Sequence, residues 1–131
     1  MRDFRQYEVW KNAVSFTTEV YKLTAAFPPS EKFGLVNQLQ RASVSIASNI
    51  AEGASRTSEK DFTHFLEISL GSSFEVETQL LISKKGKLGH STEEQYSLSS
   101  KGTMALHSCV SEDRRERQQS RSEGLIPGAD I

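Results

Sequence analysis

Residues 35–53 read LVNQLQRASVSIASNIAEG, and the spacing inside them decides how the rest of the chain is read. Leu35, Leu39, Ala42, Ile46 and Ile50 recur at intervals of three and four, which makes one face of a helix apolar, with Val36, Ser43 and Ala47 beside it. Most other side chains in the second half are small: Ser45, Ser48 and Ala51 let a neighbouring backbone approach. The spacing predicts a helix over about 32–52 that serves as a close-packed seam, and no ligand-binding turn is needed to explain it. Ser30, next to Glu31, is the expected N-cap, where the helix dipole favours acid. Gly53 is the expected stop, because glycine adopts the left-handed conformation without a Cβ penalty.

Working outward, Val9, Trp10, Ala13, Phe16, Val20, Leu23 and Phe27 keep the same spacing and predict a helix over about 4–27. Asp3 is its expected cap and Pro28-Pro29 its stop, since proline lacks an N–H and disfavours the α region in the residue before it. On the other side, Ser58-Glu-Lys-Asp61 is a capping arrangement for a helix over about 58–84, roughly 40 Å long at 1.5 Å per residue. Phe62, Phe65, Leu66, Ser69, Ser73, Val76, Leu80 and Leu81 form its stripe. Gly71 inside it costs about 1 kcal/mol relative to alanine unless a neighbour packs there.

Lys84-Lys-Gly-Lys-Leu-Gly-His90 then reads as a basic turn, and Ser91-Thr-Glu-Glu94 as the capping box of a fourth helix over about 91–98. After Leu98 the register fails, because Ser99-Ser-Lys-Gly102 intervenes and Met104, Leu106 and Val110 are too few to extend a stripe. Residues 111–121, SEDRRERQQSR, contain no apolar side chain and cannot bury enough surface to offset their ordering entropy. Residues 99–131 are therefore expected to be an irregular or disordered tail behind a helical domain spanning 1–98. No alternating run of β type occurs. The expected fold is all-α: an antiparallel up-and-down four-helix bundle whose fourth helix is short, irregular or degraded.

Bulk properties restrict the function. The 131 residues suit one domain, and 16 Lys and Arg against 17 Asp and Glu give a formal charge of −1, with no global pull towards nucleic acid or anionic membrane. Acidic and basic side chains also balance within residues 1–85. With a mean hydropathy of −0.49, no apolar run of spanning length and no secretory h-region after Met1, a soluble cytoplasmic protein is expected. Cys109 is the single cysteine, so it has no partner for a disulfide, a zinc site or a redox pair.

Candidate chemistry is sparse. His64 and Glu67 share a helix face, but the Glu-x-x-His pairs of a di-metal bundle are absent, so no metal and no cofactor is expected. His90 and His107 fall outside the secure helices and assemble no nucleophilic triad. Gly86-Lys-Leu-Gly89 follows a helix, not a strand, and lacks the phosphate-loop pattern. The remaining candidates are cations suited to phosphate: Arg41 on the second helix, Arg56 and Lys60 in and after the next turn, and Lys84, Lys85 and Lys87 at the end of the third. Lysines at a helix C-terminus also favour its dipole, so a solvated face is the leading explanation of them.

The phrases VWKNAVSFTTEVYKLTAAFP, EKFGLVNQLQRASVSIASNIAEG and FLEISLGSSFEVETQLLIS make residues 4–83 resemble the small bacterial four-helix-bundle proteins of the 23S rRNA-intervening-sequence type. The resemblance implies a homopentamer without enzymatic activity or small-molecule substrate. It also implies kinship with the accessory protein of diversity-generating retroelements, a basic pentamer that binds nucleic acid. Asn49, Glu52 and Gly53 are the polar part of the family-like phrase, with a structural role expected near the helix end. On this reading the chain is a scaffold or weak nucleic-acid partner, for rRNA among others. The alternative is a dedicated RNA- or DNA-binding ring, in which symmetry multiplies a few cations per chain. Relatives continue the fourth helix with regular Leu, Ile and Glu, so the lost register here points to a frameshifted or degenerate frame for the last 30 or so residues.

Overall fold

The structure, a computed structural model of the chain, describes residues 3–88 and 93–123. Four helices account for most of them: α1 (Glu8–Thr24), α2 (Leu35–Ala54), α3 (Glu59–Lys85) and α4 (Glu93–Ser122). Two single 3-10 turns, Phe4–Gln6 and Pro29–Glu31, precede α1 and α2, and no strand occurs among the described residues.

Cross-helix contacts fix the topology. Thr17 donates to the Ser43 carbonyl at 3.0 Å and Gln40 to the Thr24 hydroxyl at 3.2 Å, so α1 and α2 run antiparallel. The Ser45 and Ser72 hydroxyls meet at 3.0 Å and Gln79 donates to Gln38 at 3.3 Å, which turns α3 back along α2. Arg117 reaches Glu59 and His107 reaches Glu77, which turns α4 back along α3. Helices α1 and α3 each pack on both α2 and α4, which leaves α1 diagonal to α3 and α2 diagonal to α4. The expected stripes meet on the axis, where Val20, Leu39, Ile46, Ile50, Phe62, Leu66 and Val76 are fully buried, but Leu81, expected on the α3 stripe, is 53% exposed.

The helix ends differ from expectation in instructive ways. Asp3 caps the Phe4–Gln6 turn through the Arg5 amide at 3.2 Å, and α1 begins only at Glu8. Helix α2 begins at Leu35, where the Glu31 carboxylate, not Ser30, accepts from the Leu35 amide at 3.3 Å. Ser58 does cap α3, accepting from the Asp61 amide at 3.1 Å. Gly53 is not the left-handed stop: it lies inside α2, and a Cβ there would sit 2.8 Å from the Cβ of Phe65. Its lack of a side chain serves close approach to α3.

The largest correction concerns α4, which does not break after Leu98 but continues to Ser122. Gly102, which reads as a breaker, is where a side chain would run into the Phe16 ring, 3.2 Å from a Cβ placed there. Leu106 and Val110 are buried in the core. Farther along, Arg117 donates to Asp113 at 2.7 Å and to Glu59 at 2.9 Å, with side-chain exposures of 17% for Arg117 and 6% for Glu59. Its guanidinium lies 3.8 Å from the centre of the Phe62 ring and 5.5 Å from that of Tyr7. Burial alone would loosen the Arg117 proton, but the bonds to Asp113 and Glu59 outweigh it, and the group is held charged more firmly than a free arginine. A segment without apolar residues is thus fastened by one desolvated cation. The expected Ser91-Thr92 cap, His90 and residues 124–131 lie outside the described residues.

Candidate nucleic-acid interface

The six expected cations do not form one patch. Arg56 and Lys60 sit at the α2–α3 junction, whereas Lys84, Lys85 and Lys87 sit at the far end of α3, about 40 Å away along the helix. Arg41 lies on α2 nearer the lysine end, and all six are exposed. Arg56 has its charge engaged already: it bonds Glu52 at 2.7 Å, and its guanidinium stacks 4.8 Å from the centre of the Phe65 ring.

The lysine end is shaped by how α3 stops. The Gly86 amide donates to the Ile82 carbonyl at 2.9 Å, Lys87 to Lys84 at 3.1 Å and Leu88 to Ser83 at 3.1 Å. That pattern needs a left-handed residue, and the position is filled by Lys87 with φ 54°, where glycine is the usual occupant. The Gln38–Gln79 contact ties the start of α2 to this end of α3. The chain runs on from it to Phe33 on one side and Lys84 on the other.

Phe33 is 87% exposed, and the Lys32 ammonium stands 5.5 Å from the centre of its ring. Sequence reasoning missed both, because one aromatic in a connection between helices belongs to no stripe and no motif. The available signal was a phenylalanine lying off the apolar face, flanked by lysine and glycine. An exposed ring can stack a base while neighbouring lysines take phosphates as point charges.

The polar family-like residues face inward or along their own helix. Asn49 donates to the Ser45 carbonyl at 2.8 Å and to its hydroxyl at 2.9 Å, and Glu52 holds Arg56. No group of three or more His, Cys, Asp or Glu that could hold a metal occurs among the described residues. His64 lies edge-on to Phe65, and Glu67 faces Arg114 at 3.9 Å. His107 stands 3.5 Å from Glu77, its ring 4.4 Å from that of Phe74. Burial pushes the Cys109 thiol up, with a hydrogen bond from Asn12 acting the other way, so it is a poor nucleophile at neutral pH.

The family model of the 23S rRNA-intervening sequence proteins matches residues 5–108, which takes in α1, α2, α3 and the first half of α4. The chain belongs to this family. A solved structure described as a protein with unknown function from the S23 ribosomal protein family of Bacteroides thetaiotaomicron VPI-5482 shares the fold, with a TM-score of 0.73 at 23% identity. The likeness covers 82% of this chain and 95% of that one. No curated protein matches. The molecular function of the intervening-sequence family is unknown, and its description carries no enzymatic activity. No described helix of this family member is long and apolar enough to cross a membrane. Arg117 and the charged half of α4 lie beyond the matched residues.

Proposed function

We propose that the chain is a non-enzymatic, homo-oligomeric helical-bundle protein of the cytoplasm that acts as a scaffold and weak nucleic-acid partner. The observation that carries this reading is the division of its exposed surface. Apolar side chains such as Val14, Val44, Ile68 and Phe74 lie midway along the flanks, whereas Phe33, Lys84, Lys85 and Lys87 lie at one end. Exposed apolar flanks suit association between copies, and the end remains open to a nucleic acid.

Two measurements test it. Light scattering should give a mass several times the 14.6 kDa of one chain, and a monomer would contradict the reading. Retardation of a labelled single-stranded RNA should weaken steeply with salt, and Lys84→Glu with Lys85→Glu should abolish it. Lys87→Gly should weaken binding while raising stability by about 1 kcal/mol, because it relieves the left-handed backbone. Retardation indifferent to salt and to these substitutions would sink the nucleic-acid part.

The second reading, a dedicated RNA- or DNA-binding ring, is favoured by Phe33. If bases stack on it, Phe33→Ala costs about 1–3 kcal/mol of affinity. An unchanged affinity leaves the scaffold.

A further inference from the structure

Arg117 sits in a slot that other elements build. Its walls are the rings of Tyr7 and Phe62, whose centres are 5.9 Å apart, and the buried carboxylate of Glu59 at the start of α3. The guanidinium lies 3.8 Å from the centre of the Phe62 ring and 5.5 Å from that of Tyr7, and it donates to Glu59 at 2.9 Å. Among cationic side chains, arginine suits such walls best. Its flat, weakly hydrated cation stacks on a ring while its edge donates to an oxygen, whereas the compact ammonium of lysine is a strongly hydrated point charge.

The slot and its occupant differ in origin. Tyr7, Glu59 and Phe62 fall inside residues 5–108, which match the family model, and Arg117 falls beyond them. The arm that carries Arg117 offers the body no apolar side chain over residues 111–121, and the core anchors before it are Leu106 and Val110. Asp113, the second partner of Arg117, belongs to the arm itself and accepts at 2.7 Å, so it would leave with the arginine. From the body, the guanidinium draws only on Glu59 and the two rings among the described contacts.

We propose that the slot of Tyr7, Glu59 and Phe62 is a docking site for an arginine of another protein, carried on a segment with apolar side chains beside it, and that Arg117 occupies the slot as an internal placeholder. Exchange of the arm between copies of this chain gains nothing, because each copy brings the same arginine with the same Asp113 and no apolar residue. A partner arginine without an acid one helical turn before it presents its whole charge to Glu59, and apolar neighbours add burial that the arm lacks. The contact with Arg117 is autoinhibitory. Tethering gives the arm an effective concentration on the order of millimolar, and a partner's affinity falls by the fraction of time that the arm leaves the slot open.

The inference goes beyond the scaffold reading by adding a protein partner, and it depends on neither self-association nor nucleic acid. Fluorescence anisotropy on the full chain tests it, with a labelled, helix-forming alanine peptide that carries one central arginine and a leucine one helical turn to either side. The same peptide with citrulline or with lysine in the arginine's place is the control. Arg117→Ala should bind the arginine peptide about tenfold or more tightly than the native chain does. Citrulline should remove that gain, lysine should recover little of it, and Glu59→Gln added to Arg117→Ala should abolish it. Each variant must keep native helicity by circular dichroism, with Arg117→Gln used where Arg117→Ala does not. No binding by the Arg117 variant, equal binding by variant and native chain, or a gain that survives citrulline or Glu59→Gln would overturn the docking site.

Discussion

Helix α3 meets α2 through small side chains and meets α4 through polar pairs, one of them a buried ion pair. On the first side the Ser69 hydroxyl donates to the Ile46 carbonyl, Ser45 meets Ser72, and the backbone at Gly53 lies against Phe62 and Phe65. On the second, Glu59, Glu67 and Glu77 each face a partner on α4: Arg117, Arg114 and His107. A seam of small residues tolerates no added volume. Where the charge is buried, at Arg117 and Glu59, it tolerates no missing partner.

The largest expected effect breaks the charged side. Arg117→Ala removes one partner of a buried carboxylate and should cost about 3 kcal/mol, or on the order of 10 °C in melting temperature. Replacing both members, Arg117→Met with Glu59→Leu, should recover most of that, because apolar groups of similar size substitute for a buried ion pair at little cost. A loss below about 0.5 kcal/mol for Arg117→Ala by denaturant titration would mean that charge does not hold α4.

A smaller effect tests the other side. Gly53→Val should destabilise by about 2 kcal/mol, although valine is the better helix former, because Phe65 meets it with its Cβ and cannot rotate away. The smallest effect is a control of opposite sign. Gly71 is exposed in the middle of α3, and a Cβ added there would have nothing within 4 Å, so Gly71→Ala should stabilise by about 0.5–1 kcal/mol. Equal destabilisation by Gly53→Ala and Gly71→Ala in thermal melts would erase the distinction between the packed seam and the open face.

The same contrast explains what could be read in advance. Helices α1 and α2 bury apolar stripes and α3 buries one interrupted by Ser69 and Ser73, and such a repeat is what periodicity detects, so their order and faces are largely legible. Gly53 reads correctly as lying near the end of α2 but for the wrong reason, since a glycine that stops a helix and one that admits a neighbour look alike in sequence. Helix α4 is illegible beyond Leu98 because its anchors are few: Leu106, Val110 and then an arginine. Burial of Arg117 depends on Glu59, 58 positions earlier, and on the face of Phe62, neither of which a local pattern registers. At the candidate interface the run of lysines is visible as a charge cluster. Phe33 is not, because its meaning comes from being exposed at the same end of the bundle.

The central claim is that α4, through Arg117, is an integral part of the bundle. Amide hydrogen exchange of the full chain, followed in fragments covering Leu106–Arg117, tests it most directly. Those amides should exchange about a thousandfold or more slowly than in an unstructured peptide, and Arg117→Ala should remove much of the protection. Exchange there at the rate of an unstructured chain, with α2 still protected, would contradict it.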